Sequence, residues 1–416
     1  MQATLKSTFG AIRMSQFNQD IDVSIPQELA DNGVLSGVES EVESYEFPFD
    51  AEKISISSVP VPISRLLERL KAKTISAPQI QRSGDLWTLQ QQSRLIESLM
   101  LRIPLPLFYV AADSDENWKI VDGLQRVSAL RNFLLDKNFE LSGLEFLLDL
   151  NGKKYDTIPP KYQNRIADTT LQFAVISSTT PPEVQRNVFK RLNTGGLPLS
   201  PQEIRHALYY DDKVASLLQS LADSQDFKKA TDYSINDSRM AAKELALRFI
   251  AFLIRDIDSY PKNDDMDSFL SDTMLLLSAM PDLKQEKIKK IFYPRLVNTE
   301  CKYKSHDIIK SQFILAMQRA SKLFGNYAFR KSLPPNRRTP VNKALFETVA
   351  INLCQIDQEN FERLLEGKKS LFLKLEAALT GELEHAISRD SHKLTSIKKR
   401  FDFFKSTFLN FKTEQL

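Results

Sequence analysis

Cysteine and histidine are scarce in this sequence of 416 residues, which has two cysteines, Cys301 and Cys354, and four histidines. Two thiols supply no disulfide framework and too few ligands for a structural zinc site built on cysteine. No apolar run approaches the roughly 20 residues of a membrane-crossing helix. The longer ones, such as Phe249 to Ile254 and Met274 to Leu277, are a fraction of that. The first residues lack the basic-then-apolar order of a secretory signal. No fixed-period repeat argues for a solenoid, and no Walker A sequence is present to make a P-loop. A cytoplasmic protein without membrane association is the expectation.

With 42% apolar side chains, the chain is long enough for two or three domains, each with its own core. A formal net charge of +3 hides an uneven spread, because nine acids stand against two bases before Ala51. Residues 1 to about 52 are polar, carry Glu39, Glu41, Glu43 and Glu46 close together, and show no sustained periodicity. They are expected to form an acidic arm, flexible or peripherally packed, which by its charge is suited to cover a basic surface. The remainder is basic enough for a polyanionic partner, although acids are mixed in throughout.

From Ile54 the pattern changes. Ile63, Leu66, Leu67 and Leu70 recur at helical spacing, and Thr88 with Gln91 forms a capping box ahead of Leu95, Ile96, Leu99 and Met100. Leu107 to Val110 and Trp118 to Val121 are short apolar runs on either side of an acidic turn, as in a hairpin. Leu124 then opens a helical pattern, so Asp122 and Gly123 sit at a strand–turn–helix junction. Another strand is expected at Leu171 to Ile176, followed by two helices capped by Thr180 with Glu183 and by Ser200 with Glu203. Beyond Tyr210 nearly every segment has helical spacing. The expected class is α+β, with an α/β-containing domain over 53–210 and an all-α domain over 211–416.

The sharpest local feature is Ile120-Val121-Asp122-Gly123-Leu124-Gln125-Arg126, which brings an acid, a glycine, an amide and a guanidinium to one turn. Gly123 lets backbone approach a ligand, the first N–H groups of the helix suit an anion, and Arg126 has forked donors for phosphate oxygens. Asp122 has the chemistry of a base or of a carboxylate that positions a metal-bound water. The plain alternative is a capped turn in which Asp122 and Arg126 merely pair across one helical turn. On spacing alone that alternative is the simpler one.

Two further segments bear on the choice. Pro78-Gln79-Ile80-Gln81-Arg82, Leu86-Trp87, Leu95-Ile96-Glu97-Ser98 and Ile103-Pro104-Leu105-Pro106 precede the turn, and Phe189 to Gly196, Leu199-Ser200 and Glu203-Ile204-Arg205-His206 follow it. Together with Asp122 to Arg126 they resemble, in order and spacing, the DGQQR-motif family typified by the N-terminal half of GmrSD-type restriction systems. Leu124 stands where the motif has glutamine. The resemblance implies a ParB/sulfiredoxin-like fold, nucleotide binding with hydrolysis in several members, and service in defence against foreign DNA. It makes Asp122, Gln125 and Arg126 the expected catalytic residues, and Gln81, Arg82, Gly123, Asn193 and Gly195 the expected contacts to an NTP. Asp122 and Glu203 are the expected ligands of Mg2+, although Glu203 is equally explained as the partner of the Ser200 cap. The function so implied is an NTP-hydrolysing component of a prokaryotic defence system. The alternatives are a non-catalytic DNA or nucleotide sensor that recruits a separately encoded nuclease or effector, and a nuclease using the same pocket.

In the C-terminal half, Arg330, Lys331, Arg337, Arg338 and Lys343 surround Pro334 and Pro335, just after Phe324, Tyr327 and Phe329. Basic and aromatic groups in that mixture suit a nucleic-acid backbone and its bases. A second basic run holds Lys393, Lys398, Lys399 and Arg400. Arg330, Lys331, Arg337, Arg338, Lys398 and Arg400 are the expected DNA contacts, against the ordinary alternative of a solvated charged face. His385 and His392 lack the paired motif of a His-Asn-His nuclease, so a fused nuclease of that type is not expected.

Overall fold

The structure is a computed structural model and describes residues 24–29, 35–41, 55–76, 87–113, 115–192, 200–292 and 300–411. Its contacts divide the chain into two units, Glu46–Tyr210 and a second made of Asp211–Leu416 with Met1–Tyr45. The α+β class is observed: a domain built on a mixed sheet precedes a largely helical region.

Five strands make the sheet of the first unit, namely β3 (Ile56–Pro62), β4 (Ile75–Ser76), β5 (Phe108–Ala112), β6 (Trp118–Asp122) and β7 (Thr170–Ile176). Their order is β3-β7-β5-β6-β4. β3 runs antiparallel to β7 and β6 antiparallel to β5, whereas β7 is parallel to β5 and β4 parallel to β6. Side-chain alternation explains why both faces are covered. Phe108, Val110, Trp118, Ile120, Leu171, Phe173 and Val175 join one core with helices α1 (Ile63–Lys71), α2 (Leu89–Met100), α3 (Leu124–Leu130) and α4 (Pro160–Asp168). Ala111, Val121 and Ile176 join a second core with α5 (Pro182–Leu192) and α6 (Pro201–Leu208).

The local rules that start these helices operate largely as the residues suggest. Thr88 and Gln91 form a reciprocal capping box on α2, and Ser200 and Glu203 form another on α6. Thr180 departs from its expected role. Helix α5 begins at Pro182, and the Thr180 hydroxyl bonds the backbone of Ser55 instead. The residue before β3 thereby gains a side-chain anchor that a cap would have used up.

Glu97 on α2 is nearly inaccessible, and its carboxylate accepts from three successive backbone N–H groups, those of Glu145 at 3.0 Å, Phe146 at 2.8 Å and Leu147 at 2.7 Å. Burial opposes its charge, but these amides prevail and hold its pKa below the ordinary glutamate value. The connection after α3 is thus pinned to α2 by one side chain.

The second unit contains α7 (Asp212–Ala222), α8 (Gln225–Ala230), α9 (Ala241–Ile254), α10 (Met266–Ala279), α11 (Gln285–Phe292), α12 (His306–Phe324), α13 (Lys343–Gln355), α14 (Gln358–Glu366), α15 (Lys368–Thr380), α16 (Glu384–Ser388) and α17 (Leu394–Leu409). Asp211, Ser224, Asp265, Asn342 and Asp357 each cap a helix by accepting from a backbone N–H of its first turn. Aromatic packing fills the centre, with Phe249, Phe227 and Phe346 set around Phe313.

Where it is described, the N-terminal acidic segment is the packed rather than the flexible form of the expected arm. Over its described residues it forms β1 (Gln27–Leu29) paired antiparallel with β2 (Leu35–Glu39), docked on the helical unit. Glu39 N–H donates to Val341 O at 2.9 Å, Val341 N–H to Gly37 O at 3.0 Å, and Asn236 N–H to Ser36 O at 2.9 Å. Gly37 is required at a positive φ of 77°, because a Cβ there would meet Ser234 O at 1.9 Å.

Beneath this hairpin lies a buried ion network. Arg248 on α9 pairs with Glu244 of its own helix at 3.1 Å, with Glu347 of α13 at 3.2 Å and with Glu41 of the N-terminal segment. Glu347 also holds Arg400 of α17, and both side chains of that pair have no exposed surface.

Replacing Glu347 by glutamine leaves two guanidinium groups short of an anion and is expected to cost about 3–5 kcal/mol in denaturant unfolding. Glu97→Gln is expected to cost about 1.5–3 kcal/mol at neutral pH. Because the folded pKa of Glu97 is depressed, its contribution is full above the unfolded-state value of 4.5 and fades as pH falls through the folded value. The gap between wild type and E97Q should therefore close in acid; a gap of constant size from neutral to strongly acidic pH would contradict this assignment.

Candidate functional site

Strand β6 ends at Asp122, and Gly123 turns the chain into α3. Gly123 adopts a φ of 92°, and a Cβ there would lie 2.5 Å from Phe108 Cδ1 and 3.1 Å from an Arg126 nitrogen. Both the left-handed backbone and the close approach require glycine. The β5–β6 ladder shifts register at this place, with Tyr109 opposite Asp122 but Val110 opposite Ile120. An irregularity of this kind re-aims a terminal side chain.

Asp122 is about half accessible, its side chain 43% exposed, and its Oδ2 accepts from Arg126 Nη2 at 2.8 Å. Arg126 itself is turned inward, with its side chain 12% exposed. Its Nη1 donates to Pro106 O, its Nη2 also donates to Leu107 O at 3.2 Å, and its guanidinium carbon lies 4.3 Å from the centre of the Phe108 ring. Burial lowers the Arg126 pKa and Asp122 opposes the shift. Three of the five N–H groups of a guanidinium are engaged in this way. The plain pairing across one helical turn is therefore what the structure contains. Arg126 acts first as the anchor of the turn and of the Asp122 carboxylate.

Gln125 accepts from Trp87 N–H through Oε1 at 3.4 Å. Trp87 is the first described residue after 77–86, and Ser76, the last before it, pairs with β6 at Lys119. Ser76 thus lies beside the start of β6, and Trp87 beside α3. Gln81, Arg82, Asn193 and Gly195 lie outside the described residues. Sequence reasoning missed the cradle of Arg126. Its signal was the Pro106-Leu107-Phe108 run, in which two carbonyls and a ring lie before the strand core.

Glu203 is fully buried, and its Oε2 accepts from Ser200 N–H at 2.6 Å in the capping box. Its local geometry is that of a helix cap. Among the described residues no group of three or more histidine, cysteine, aspartate or glutamate side chains is placed to hold a metal ion.

The family comparison bears on this same segment. Residues 63–210 match the family model described as GmrSD restriction endonuclease, N-terminal domain. Over these residues the sheet domain is similar to the GmrSD N-terminal domain family. The match takes in α1 through α6 and so contains the Asp122 turn, its Arg126 anchor and the Ser200 box. No curated protein and no solved structure matches the chain. A domain of the GmrSD type marks the protein as a restriction-like defence component at the level the family name carries.

The basic residues expected to contact nucleic acid are dispersed by the fold. Arg330 is 2% exposed and donates to Asn326 O, Thr339 O, Thr231 O and Ser234 Oγ, and burial next to Arg338 pushes its pKa down to about 10. Arg338 is buried against Asp232, and Arg400 is buried on Glu347, Thr348 and Ser391. Lys331 is partly buried between Glu39 and Ser388. Arg337 is exposed, and Lys398 is exposed with its ammonium 2.8 Å from Asp258. Phe324 and Phe329 are core residues stacked with Phe372 and tilted on Phe346, not free faces for bases. The expected track does not form from Arg330, Arg338 and Arg400, because carbonyls and carboxylates of the same unit consume their donors. In this structure no helix among the described residues is long and apolar enough to cross a membrane.

For the turn itself, Gly123→Ala is expected to cost at least 1–2 kcal/mol, since it combines a left-handed backbone with a clash on Phe108. A thermal or denaturant melt within about 0.5 kcal/mol of wild type would show that the turn is not constrained as described.

Proposed function

We propose that this protein is the nucleotide-responsive component of a restriction-like defence system, and that the β6–α3 turn is its nucleotide site. The observation that carries the proposal is a half-exposed Asp122 carboxylate, held by the buried Arg126, at a strand–glycine–helix turn within a GmrSD-type domain. One oxygen of Asp122 is engaged by Arg126, and the group remains accessible to an incoming ligand. That donor suits magnesium, which is commonly held by one or two carboxylates together with the phosphates of its nucleotide. Bound there, the ion would neutralise phosphate charge. Asp122 is the residue of the turn that would hold it, and Gln125 would fix Trp87 beside the site. Gln81, Arg82, Asn193 and Gly195 complete the proposed nucleotide contacts. Arg126 supports hydrolysis by positioning Asp122.

A second reading is favoured by one feature. Because Arg126 already serves carbonyls and Asp122, binding without turnover needs fewer changes than hydrolysis, and the domain would then sense nucleotide and recruit a separate nuclease.

Phosphate release from ATP, GTP, CTP and UTP with magnesium separates the two. Turnover that falls by about 100-fold or more in Asp122→Asn, with nucleotide affinity changed much less, is the result expected of an enzyme. Folded wild-type protein that binds a nucleotide but hydrolyses none of the four would replace the hydrolase with the sensor. Absence of binding to all four would overturn both readings.

A further inference from the structure

Among the described residues of the helical part, two carboxylates pair with members of a cluster of four cations. Arg248, Lys343, Arg400 and Lys331 converge on α9, α13, α17 and the segment before α13, and the carboxylates that the helical part contributes to their ion pairs are Glu244 and Glu347. The rest of the counter-charge comes from the N-terminal segment. Glu28 pairs with Lys343, Glu39 with Lys331, and Glu41 with Arg248. Polar groups complete each subsite, with Asn342 Nδ2 at 3.0 Å from Glu39 and Ser391 Oγ at 3.2 Å from Glu41.

We infer that these cations form an anion-binding site for the phosphodiester backbone of a nucleic-acid strand, and that the N-terminal segment occupies it in cis with Glu28, Glu39 and Glu41. The reading of the sheet domain as restriction-related selects nucleic acid from among polyanions, and the inference rests on it to that extent. The geometry is suited to exchange. Glu39 and Glu41 are two residues apart, a reach of at most about 7 Å along the chain, and place one negative charge on each of two subsites, as successive phosphates of a strand do.

Electrostatics makes the exchange obligatory, since Arg248 and Lys343 are each less than a twentieth exposed. A buried cation stripped of its anion is strongly destabilising. The hairpin therefore leaves only when another anion takes its place. Among the described residues its other ties include three backbone hydrogen bonds with Val341 and Asn236 and the burial of Ser36, Gly37 and Val38. The acidic segment is thus a competitor of the ligand, and the nucleic-acid residues are Lys331, Lys343 and Arg248, with Asn342 and Ser391 beside them.

The test uses the full chain and a fluorescent single-stranded oligonucleotide, with wild type compared with the triple variant E28Q/E39Q/E41Q. The variant is expected to bind at least tenfold tighter. Its affinity should also depend more steeply on salt, by about 2 in the slope of log K against log salt for three further phosphates engaged. A folded variant that binds no tighter than wild type overturns the proposal, as does polyglutamate competing better than the oligonucleotide. Should the variant not fold, hydrogen exchange on wild type decides. Saturating oligonucleotide at low salt is expected to speed exchange of the Glu39 and Val341 amides at least tenfold. Unchanged protection, or no binding at all, overturns the proposal. None of these readouts involves nucleotide turnover, so failure here and failure of the proposed nucleotide site remain distinguishable.

Discussion

A guanidinium removed from water has to be surrounded by anions, and Arg248 sets that requirement for the whole helical unit. Burial works against its charge, yet Glu41, Glu347 and Glu244 outweigh burial and hold its pKa well above the ordinary value. Satisfying this one side chain draws together α9, α13 and the N-terminal hairpin, and through Glu347 it draws in Arg400 on α17. Such a network need not exceed a well-packed apolar substitute in stability. Its effect is selective. Any arrangement that separates one partner leaves a buried charge exposed to the full desolvation cost, so helices distant in sequence are held to one mutual register.

The sheet domain applies the same constraint on a smaller scale. Arg126 could offer its full fork to a phosphate only by giving up its bonds to two backbone carbonyls and a carboxylate and its place over the Phe108 ring. Each released carbonyl would need a new donor. The arginine is therefore better suited to fixing the turn than to gripping a ligand. Asp122, in contrast, keeps an accessible carboxylate at the turn. Gly123 makes this division possible, because no larger residue lets α3 begin so close to β5.

Much of the sheet domain was legible in the residues because its determinants are local. The Thr88–Gln91 and Ser200–Glu203 boxes lie within four residues, the strand faces alternate, and Asp122 to Leu124 does mark a strand–glycine–helix junction. What stayed hidden depended on distant partners. Thr180 looked like a cap until the backbone of Ser55, 125 positions away, took its hydroxyl. Arg330 and Arg338 looked like a surface track because proline and charge surround them. Their partners, among them Thr231, Asp232 and Ser234, come from a loop about 100 residues earlier. The Arg126 cradle was hidden for a related reason, since backbone carbonyls carry no side-chain signature.

The acidic N-terminal segment shows where composition leaves a choice open. Low hydrophobicity and an excess of one charge are the marks of a chain too poorly apolar to order itself. That inference assumes the segment must fold on its own resources. Here the ordering free energy comes from cations elsewhere, and those cations were camouflaged. Arg248 stands four residues after Glu244, and Lys343 four before Glu347, so each appears already paired along its helix. Yet Glu244 also serves Lys343, and Glu347 serves Arg248 and Arg400. Two carboxylates are shared among three buried cations, and the deficit is invisible until the helices pack. An acidic stretch without periodicity is therefore better judged against the charge balance of the buried core than against its own composition.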